Sequence, residues 1–226
     1  VNLPLVTALR QLDTHRLIPS KYLPGGASVL ENIADSQAHL DIIFDLDHAT
    51  NDRLFAENDL LPGIGIHELV FMVPNFRIVN AAFTHAHPSG SRFNGPDRGA
   101  WYAGFKIETA QREVAWHKAV EYAEIDYWTD SVTYDDFLAD FDAGFHDLRG
   151  SAAFADCLQA DSYVASQSLA AELLARESLG LIYPSVRDPG GTCIACFRPA
   201  LVGNVRRDQR YRFTWENSPM PVIQAE

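Results

Sequence analysis

Gly180-Leu-Ile-Tyr-Pro-Ser-Val-Arg-Asp-Pro-Gly-Gly191, continued by Thr192-Cys-Ile-Ala-Cys-Phe197, is the stretch on which the fold turns. Its first part is apolar and extended, yet it carries Pro184, which has no N–H to give to a central strand ladder. Asp188 to Gly191 has the composition of a turn. Thr192–Phe197 reads as a buried strand. A hydroxyl (Ser185) and a guanidinium (Arg187) therefore leave the core at a strand break, beside two glycines that permit close backbone approach. Alone, such a segment is also what an ordinary turn looks like.

Working outward, Ser162 suits the cap of a helix that runs to about Leu179 and ends at Gly180. Gln209–Glu216 suits a last strand. Upstream, Thr109 opens a helix through about Tyr122, and Trp101–Phe105 is a short aromatic strand. His87–Gly99 is a long loop of turn residues, and residues 76–83 suit a strand. Residues 125–161, acidic and aromatic, read as a strand plus irregular structure. The first 75 residues read as mostly helical, with Ser28 capping a helix that carries Leu30, Ile33, Leu40 and Phe44. Strands and helices mix without strict alternation, which favours α+β over a doubly wound parallel sheet. No repeat or long linker appears. The expected organisation is an N-terminal, mostly helical extension over 1–75 and a catalytic unit over 76–226.

The chain of 226 residues holds 18 Lys+Arg against 30 Asp+Glu, a formal net charge of −12. That balance argues against broad electrostatic binding to nucleic acid or anionic membrane. No apolar run approaches the ~20 residues of a membrane span. Val1 is read as following a removed or omitted initiator, and Arg10, Asp13, His15 and Arg16 interrupt any secretory signal. Three cysteines without framework spacing suit a reducing, cytoplasmic setting. The charge is uneven. Residues 76–120 hold 6 basic and 3 acidic groups and residues 181–226 hold 6 and 4, so two basic islands, +3 and +2, lie in an acidic chain. Such islands are candidate anion sites or plain solvated patches.

Three features stand in those islands. On the helix from Ile107 to Tyr122, Glu113 is the only charge on a face shared with Thr109, Ala110, Trp116, His117 and Val120. An acid on a mostly apolar face must find a partner or change its protonation state, so it is either a structural ion pair with an arginine or a carboxylate held for chemistry. Ser91-Arg92-Phe93-Asn94-Gly95 sets an arginine among small polar residues, able to present its fork to a phosphate. Ser185 and Arg187 are the third.

Together, Arg92 in an Arg-Phe-Asn-x-x-x-x-Gly context, the Trp-Tyr-Ala strand, Glu113 after a spacing of 21 residues, and Tyr-Pro-Ser-Val-Arg…Gly-Gly closely resemble the RES-domain family, named for its Arg, Glu and Ser. The resemblance covers about residues 76–200. It implies an ADP-ribosyltransferase-like mixed β core with flanking helices. It also implies a cytoplasmic bacterial toxin of a toxin–antitoxin pair, with a helix-turn-helix antitoxin as partner. The implied activity consumes NAD as a substrate, by hydrolysis or phosphorolysis of the nicotinamide–ribose bond; a protein ADP-ribosyltransferase is the alternative, and a non-catalytic interaction module a further one. No metal or resident cofactor is implied, and toxin–antitoxin hetero-oligomers or homo-oligomers are both compatible. By motif position Arg92, Glu113 and Ser185 are the implied catalytic residues. Arg77, Asn94, Tyr102, Tyr183 and Arg187 are the implied NAD-binding set. In that reading Glu113 stabilises the cationic ribose, Arg92 and Arg77 neutralise the pyrophosphate, Tyr102 stacks on a ring, and Ser185 hydrogen-bonds the nicotinamide or ribose. Where the family often has two glycines before the loop arginine, this chain has Gly90-Ser91.

Other features carry bland readings. Cys193 and Cys196 lie three apart in a strand-like run and so point to opposite faces, as core residues do. His67, His85 and His87 lack an acid to complete a metal site and read as solvated. Asp45, Asp47 and His48 read as a charged helix end.

Overall fold

The computed structural model describes residues 3–23 and 62–226. Among the described residues the core is one seven-stranded sheet with three α-helices against it, so the α+β expectation holds. The strands are β1 (Val6–Pro19), β2 (Trp101–Gly104), β3 (Thr129–Asp147), β4 (Gly180–Pro184), β5 (Thr192–Cys196), β6 (Gly203–Glu216) and β7 (Val222–Ala225). The helices are α1 (Phe76–Thr84), α2 (Ile107–Ile125) and α3 (Val164–Ala175).

The sheet order is β1-β2-β5-β4-β3-β6-β7, and β1 also pairs with β3. Strands β1, β2, β5, β4 and β3 therefore close a ring, from which the β6–β7 hairpin extends. Among the described strands only β3 and β4 run parallel. The ring is uneven. β1 and β3 pair almost along the whole of β1, whereas β1 and β2 share the single pair His15↔Gly104. Beyond that pair the two strands splay, and the opening between them becomes the pocket described below.

Residues 6–19 correct the helical reading of the N-terminal segment. They form a strand because β3 offers an antiparallel edge from Val6↔His146 to Pro19↔Tyr134. The local pattern hides it, since the register shifts between Gln11 and Thr14, where Asp13 takes a left-handed φ of 53°. One extra residue of this kind breaks the two-residue alternation that marks a strand. The helix expected after Ser28, and the Asp45–His48 group, lie outside the described residues.

Residues 76–83 correct the opposite way: they are helix α1, not a strand. Their β-branched Ile78 and Val79 suit a strand locally, but Val79, Ala82 and Phe83 share a helical face and are buried together. Asn75, in the left-handed region, turns the chain into the helix, and Asn80 clamps Val70 by accepting from its N–H (3.0 Å) and donating to its carbonyl (2.8 Å). Gly99 lies so close to α1 that an added Cβ would run into the carbonyl of Ala82.

Helix α2 falls where the sequence puts it. Ala110, Ala115 and Tyr122 pack on Tyr134, Phe213 and Trp215 of β3 and β6. Helix α3 ends earlier than expected, at Ala175, with Glu177 rather than Gly180 in the left-handed conformation (φ 58°). Gly180 instead opens β4 at φ 134°, against the carbonyl of Ala195, where a Cβ would not fit.

A polar clamp closes the base of the fold. Glu68, on a short 3-10 turn (Ile66–Glu68), bridges Arg98 and Arg198, each at 2.9 Å. Burial alone would raise its pKa, but hydrogen bonds from Arg98, the Gly65 N–H and Arg198 outweigh that and hold it at about 2, against an ordinary 4.5. The folded value lies below the unfolded one, so this contribution to stability is complete above pH 4.5 and is lost as the pH falls towards 2. Glu68→Gln should therefore flatten the pH dependence of stability between about pH 4.5 and 2, measured by urea unfolding at several pH values. An unchanged slope would show that the clamp does not couple to folding.

Candidate active site

The pocket lies where β1 and β2 splay, under the middle of α2. It encloses about 220 Å³. That is below the ~300–1,000 Å³ of a pocket that holds a drug-sized ligand, so a larger ligand would fill it with one end and extend outward. Helix α2 contributes Ala110, Glu113, Val114 and His117, which are the one-face neighbours of a 3.6-residue period. The strands contribute His15 and Arg16 from β1, Tyr102 from β2, Tyr183 from β4 and Cys193 from β5.

Glu113 has no arginine or lysine within ion-pair distance among the described residues, so the structural ion pair weighed from the sequence is not what holds it. Its Oε1 accepts a 2.6 Å hydrogen bond from the Ser185 hydroxyl. The Ser185 Oγ in turn accepts from the backbone N–H groups of Arg187 (3.2 Å) and Asp188 (2.9 Å). A hydroxyl has one donor and two acceptor sites, and all three are used. The strand break at Pro184 thus yields a turn whose hydroxyl is aimed at Glu113. In this arrangement the Ser185 side chain is directed at the carboxylate. The turn is anchored by Asp188, which accepts from Thr109 (2.6 Å) and Arg112 (2.6 Å) of α2.

Arg92 is buried at the pocket wall. One guanidinium nitrogen donates to the carbonyls of Cys157 (3.2 Å) and Gln159 (2.7 Å), and the group lies 4.7 Å from the Tyr163 ring centre. Tyr102 donates to Asn94 Oδ1 (2.8 Å) and accepts from the Phe93 N–H (2.9 Å). Asn94 is thereby spent on fixing the loop to Tyr102, and its amide closes on the Gly95 carbonyl. Burial pushes both the Tyr102 and the Tyr183 hydroxyl upward in pKa, so they stand as neutral donors. Tyr183 meets Phe93 edge-on at 4.7 Å. Arg187 stacks over Trp116 at 3.2 Å and donates to the Ala160 carbonyl. Its pKa is lowered by burial first and by Arg92 second, which places the two cations near one another. Desolvation also lowers the His117 pKa, with Glu113 opposing and Arg187 and Arg92 reinforcing.

Arg77 is not brought to this place. It sits exposed on α1 against the ring of Phe76 (5.9 Å) and does not line the pocket. Arg16 does. Its Nη1 donates to the Tyr102 carbonyl at 3.1 Å, across the splayed strands, and its guanidinium lies 4.9 Å from the Trp101 ring centre. The Nε is buried without a partner, and burial lowers the pKa to about 10. Sequence reasoning missed Arg16 and His15 because β1 was read as helix. It had His117 in hand on the Glu113 face without assigning it a place.

One pattern sets these cations apart. Among the described residues every arginine lies within ion-pair distance of a carboxylate except Arg16, Arg77, Arg92 and Arg187. Arg16 and Arg92 line the pocket, and Arg187 stands within electrostatic reach of Arg92 and Glu113, in a chain that is strongly acidic overall.

Residues 69–216 match the family model described as the RES domain. The chain belongs to the RES-domain family. Arg92 and Glu113 of this RES domain line the pocket, and Ser185 joins them through its hydrogen bond to Glu113. The chain is also similar to a chain in the crystal structure of the M. tuberculosis MbcT–MbcA toxin–antitoxin complex, with 15% identity and a TM-score of 0.44 over 56% of this chain and 73% of that one. No curated protein matches it. The model starts at residue 69, so β1, with Arg16 and His15, lies outside the matched region.

Among the described residues no group of three or more His, Cys, Asp or Glu is arranged to hold a metal ion. No helix among them is long and apolar enough to cross a membrane.

Proposed function

We infer that this RES domain is an NAD-degrading toxin that cleaves the nicotinamide–ribose bond and is neutralised by an antitoxin partner of helix-turn-helix type. The observation that carries the reading is the set of three arginines without carboxylate partners, near one carboxylate without a cation, among the described residues. Arginines left unpaired and partly desolvated in an acidic protein favour a bound anion, and a pyrophosphate is an anion matched to guanidinium forks. Breaking the bond from ribose to nicotinamide leaves positive charge on the sugar, with oxocarbenium character. A carboxylate held in a low-dielectric wall stabilises that charge where it develops. Glu113 takes this role, oriented by Ser185. Arg16, Arg92 and Arg187 hold the phosphates, and Tyr102 and Tyr183 supply ring surface and neutral donors.

The test is NAD turnover by the purified, antitoxin-free protein, with products separated by chromatography in the presence and absence of phosphate. Nicotinamide release is expected. Adenine-labelled NAD that marks a protein band instead would move the reading to ADP-ribosyl transfer, and no consumption of NAD would overturn it.

Ser185→Ala should lower kcat by about tenfold while KM changes little, because one hydrogen bond to a charged group is worth ~1.5–3 kcal/mol and only part of it is realised at the barrier. A KM that rises as much as kcat falls would return Ser185 to ligand binding.

A further inference from the structure

His15 and Asp136 form a couple that the reading above does not use. His15 Nδ1 lies 2.6 Å from Asp136 Oδ2. Asp136 is fully buried, and the His15 side chain is 18% exposed and lines the pocket. The geometry follows from the strand pairing. His15 stands opposite Leu138 and Leu17 opposite Asp136, so His15, Leu17 and Asp136 share one face. That face is covered by α2, whose Ala110, Glu113 and Val114 line the same pocket. The charged and titratable groups around the couple include Arg16 on its own strand, Tyr102 on β2, Asp208 and Tyr211 on β6, and Glu113 and His117 on α2.

We propose that His15, oriented by Asp136, accepts the proton of the water molecule that replaces nicotinamide, which makes the reaction a hydrolysis. This rests on the NAD-cleaving reading of the pocket. A carboxylate that accepts from Nδ1–H fixes the imidazole in the tautomer whose Nε2 carries a lone pair. Nε2 has no partner among the described residues, so that lone pair is free to meet a ligand. Neutral histidine beside a buried carboxylate is a buried negative charge, and the second oxygen of Asp136 has no hydrogen bond. Proton uptake at Nε2 gives an imidazolium whose Nδ1–H stands 2.6 Å from the Asp136 carboxylate. Desolvation raises the Asp136 pKa against the opposing pull of His15.

The step balances. The bond from ribose C1′ to the nicotinamide nitrogen breaks, and its electron pair leaves with neutral nicotinamide. The water oxygen bonds to C1′, its proton passes to His15 Nε2, and the imidazolium later releases that proton to solvent. Water needs such a base. A phosphate dianion reaches the pocket already deprotonated and does not.

The test compares His15→Gln and Asp136→Asn with the wild-type protein in steady-state NAD turnover. General-base catalysis contributes roughly 10²–10⁴-fold, so His15→Gln should lose at least about 10²-fold in kcat with KM within about threefold. Asp136→Asn should fall in the same direction, and added imidazole should partly restore a His15→Ala variant. Wild-type kcat in His15→Gln, or a loss confined to KM, overturns the proposal. So does a product carrying phosphate in place of water. A wild-type protein that releases no nicotinamide overturns the NAD-cleaving reading as well, which separates the two failures. Nitrogen NMR of the imidazole in the unmutated protein needs no variant to fold: Nδ1–H with unprotonated Nε2 at neutral pH is expected, and the reverse tautomer overturns the proposal.

Discussion

Glu113→Gln should reduce NAD cleavage by at least about 10²-fold while leaving the fold and NAD affinity nearly intact. Removing one preorganised electrostatic stabiliser costs on that order in kcat. The substitution is close to isosteric, and its amide oxygen can still accept from the Ser185 hydroxyl now 2.6 Å from Oε1. Only the negative charge is lost, so the effect isolates it from shape. That no cation among the described residues lies within ion-pair distance matters here. A carboxylate already neutralised by an arginine would be stabilised equally in the ground state, and losing it would also disturb folding. The measurements are steady-state turnover, calorimetric NAD binding and thermal melting. Turnover near wild type would remove Glu113 from the chemistry, and a loss in binding equal to the loss in rate would make it a ligand-holding group.

Trp101→Ala should lose about 3–5 kcal/mol of stability, the range for deleting a fully buried large aromatic side chain. For a chain of this size that corresponds to a fall of roughly 6–20 °C in melting temperature. Trp101 is fully buried at the start of β2, packed into the main core cluster with Phe83 and Phe137. It also carries Arg16 on its ring. A desolvated cation over an aromatic face gains up to about 2 kcal/mol, so Arg16 should lose its platform with the ring. Trp101→Phe keeps a ring and removes an indole N–H that has no hydrogen-bond partner, and it should be markedly milder. Equal losses in the two variants would show that packing at this position does not depend on the ring.

Local signals made the middle of the chain legible. The one-face pattern of α2 is a property of its own residues, so Glu113 could be placed on an apolar face without knowledge of any neighbour. The Pro184 break and the Asp188–Gly191 turn are likewise local, and the turn is closed by a Gly191 N–H donating to the Asp188 carbonyl at 2.8 Å. The two segments misread were those whose conformation is decided elsewhere. Residues 76–83 contain strand-forming side chains but bury a helical face, and tertiary packing overrides propensity in such cases. Residues 6–19 are strand because β3 pairs with them, and the bulge at Asp13 erased the alternation that would have announced it.

Arg92, Glu113 and Ser185 were therefore available from the sequence as types and spacings, and with them the membership in the RES-domain family. What they do to one another was not. Ser185 and Glu113 are 72 residues apart and touch only because β4 ends beneath α2. Arg16 lines the pocket where Arg77 does not, and the His15–Asp136 couple spans 121 residues of sequence. Such contacts are set by which strands pair and in what register, and a one-residue slip in register would turn each side chain to the other face. The sequence by itself determined the acidic body, its cationic islands and the chemical groups present. The tertiary structure decided which cations stand without counter-ions around which carboxylate, because a pairing between distant strands leaves no periodic trace in either strand alone.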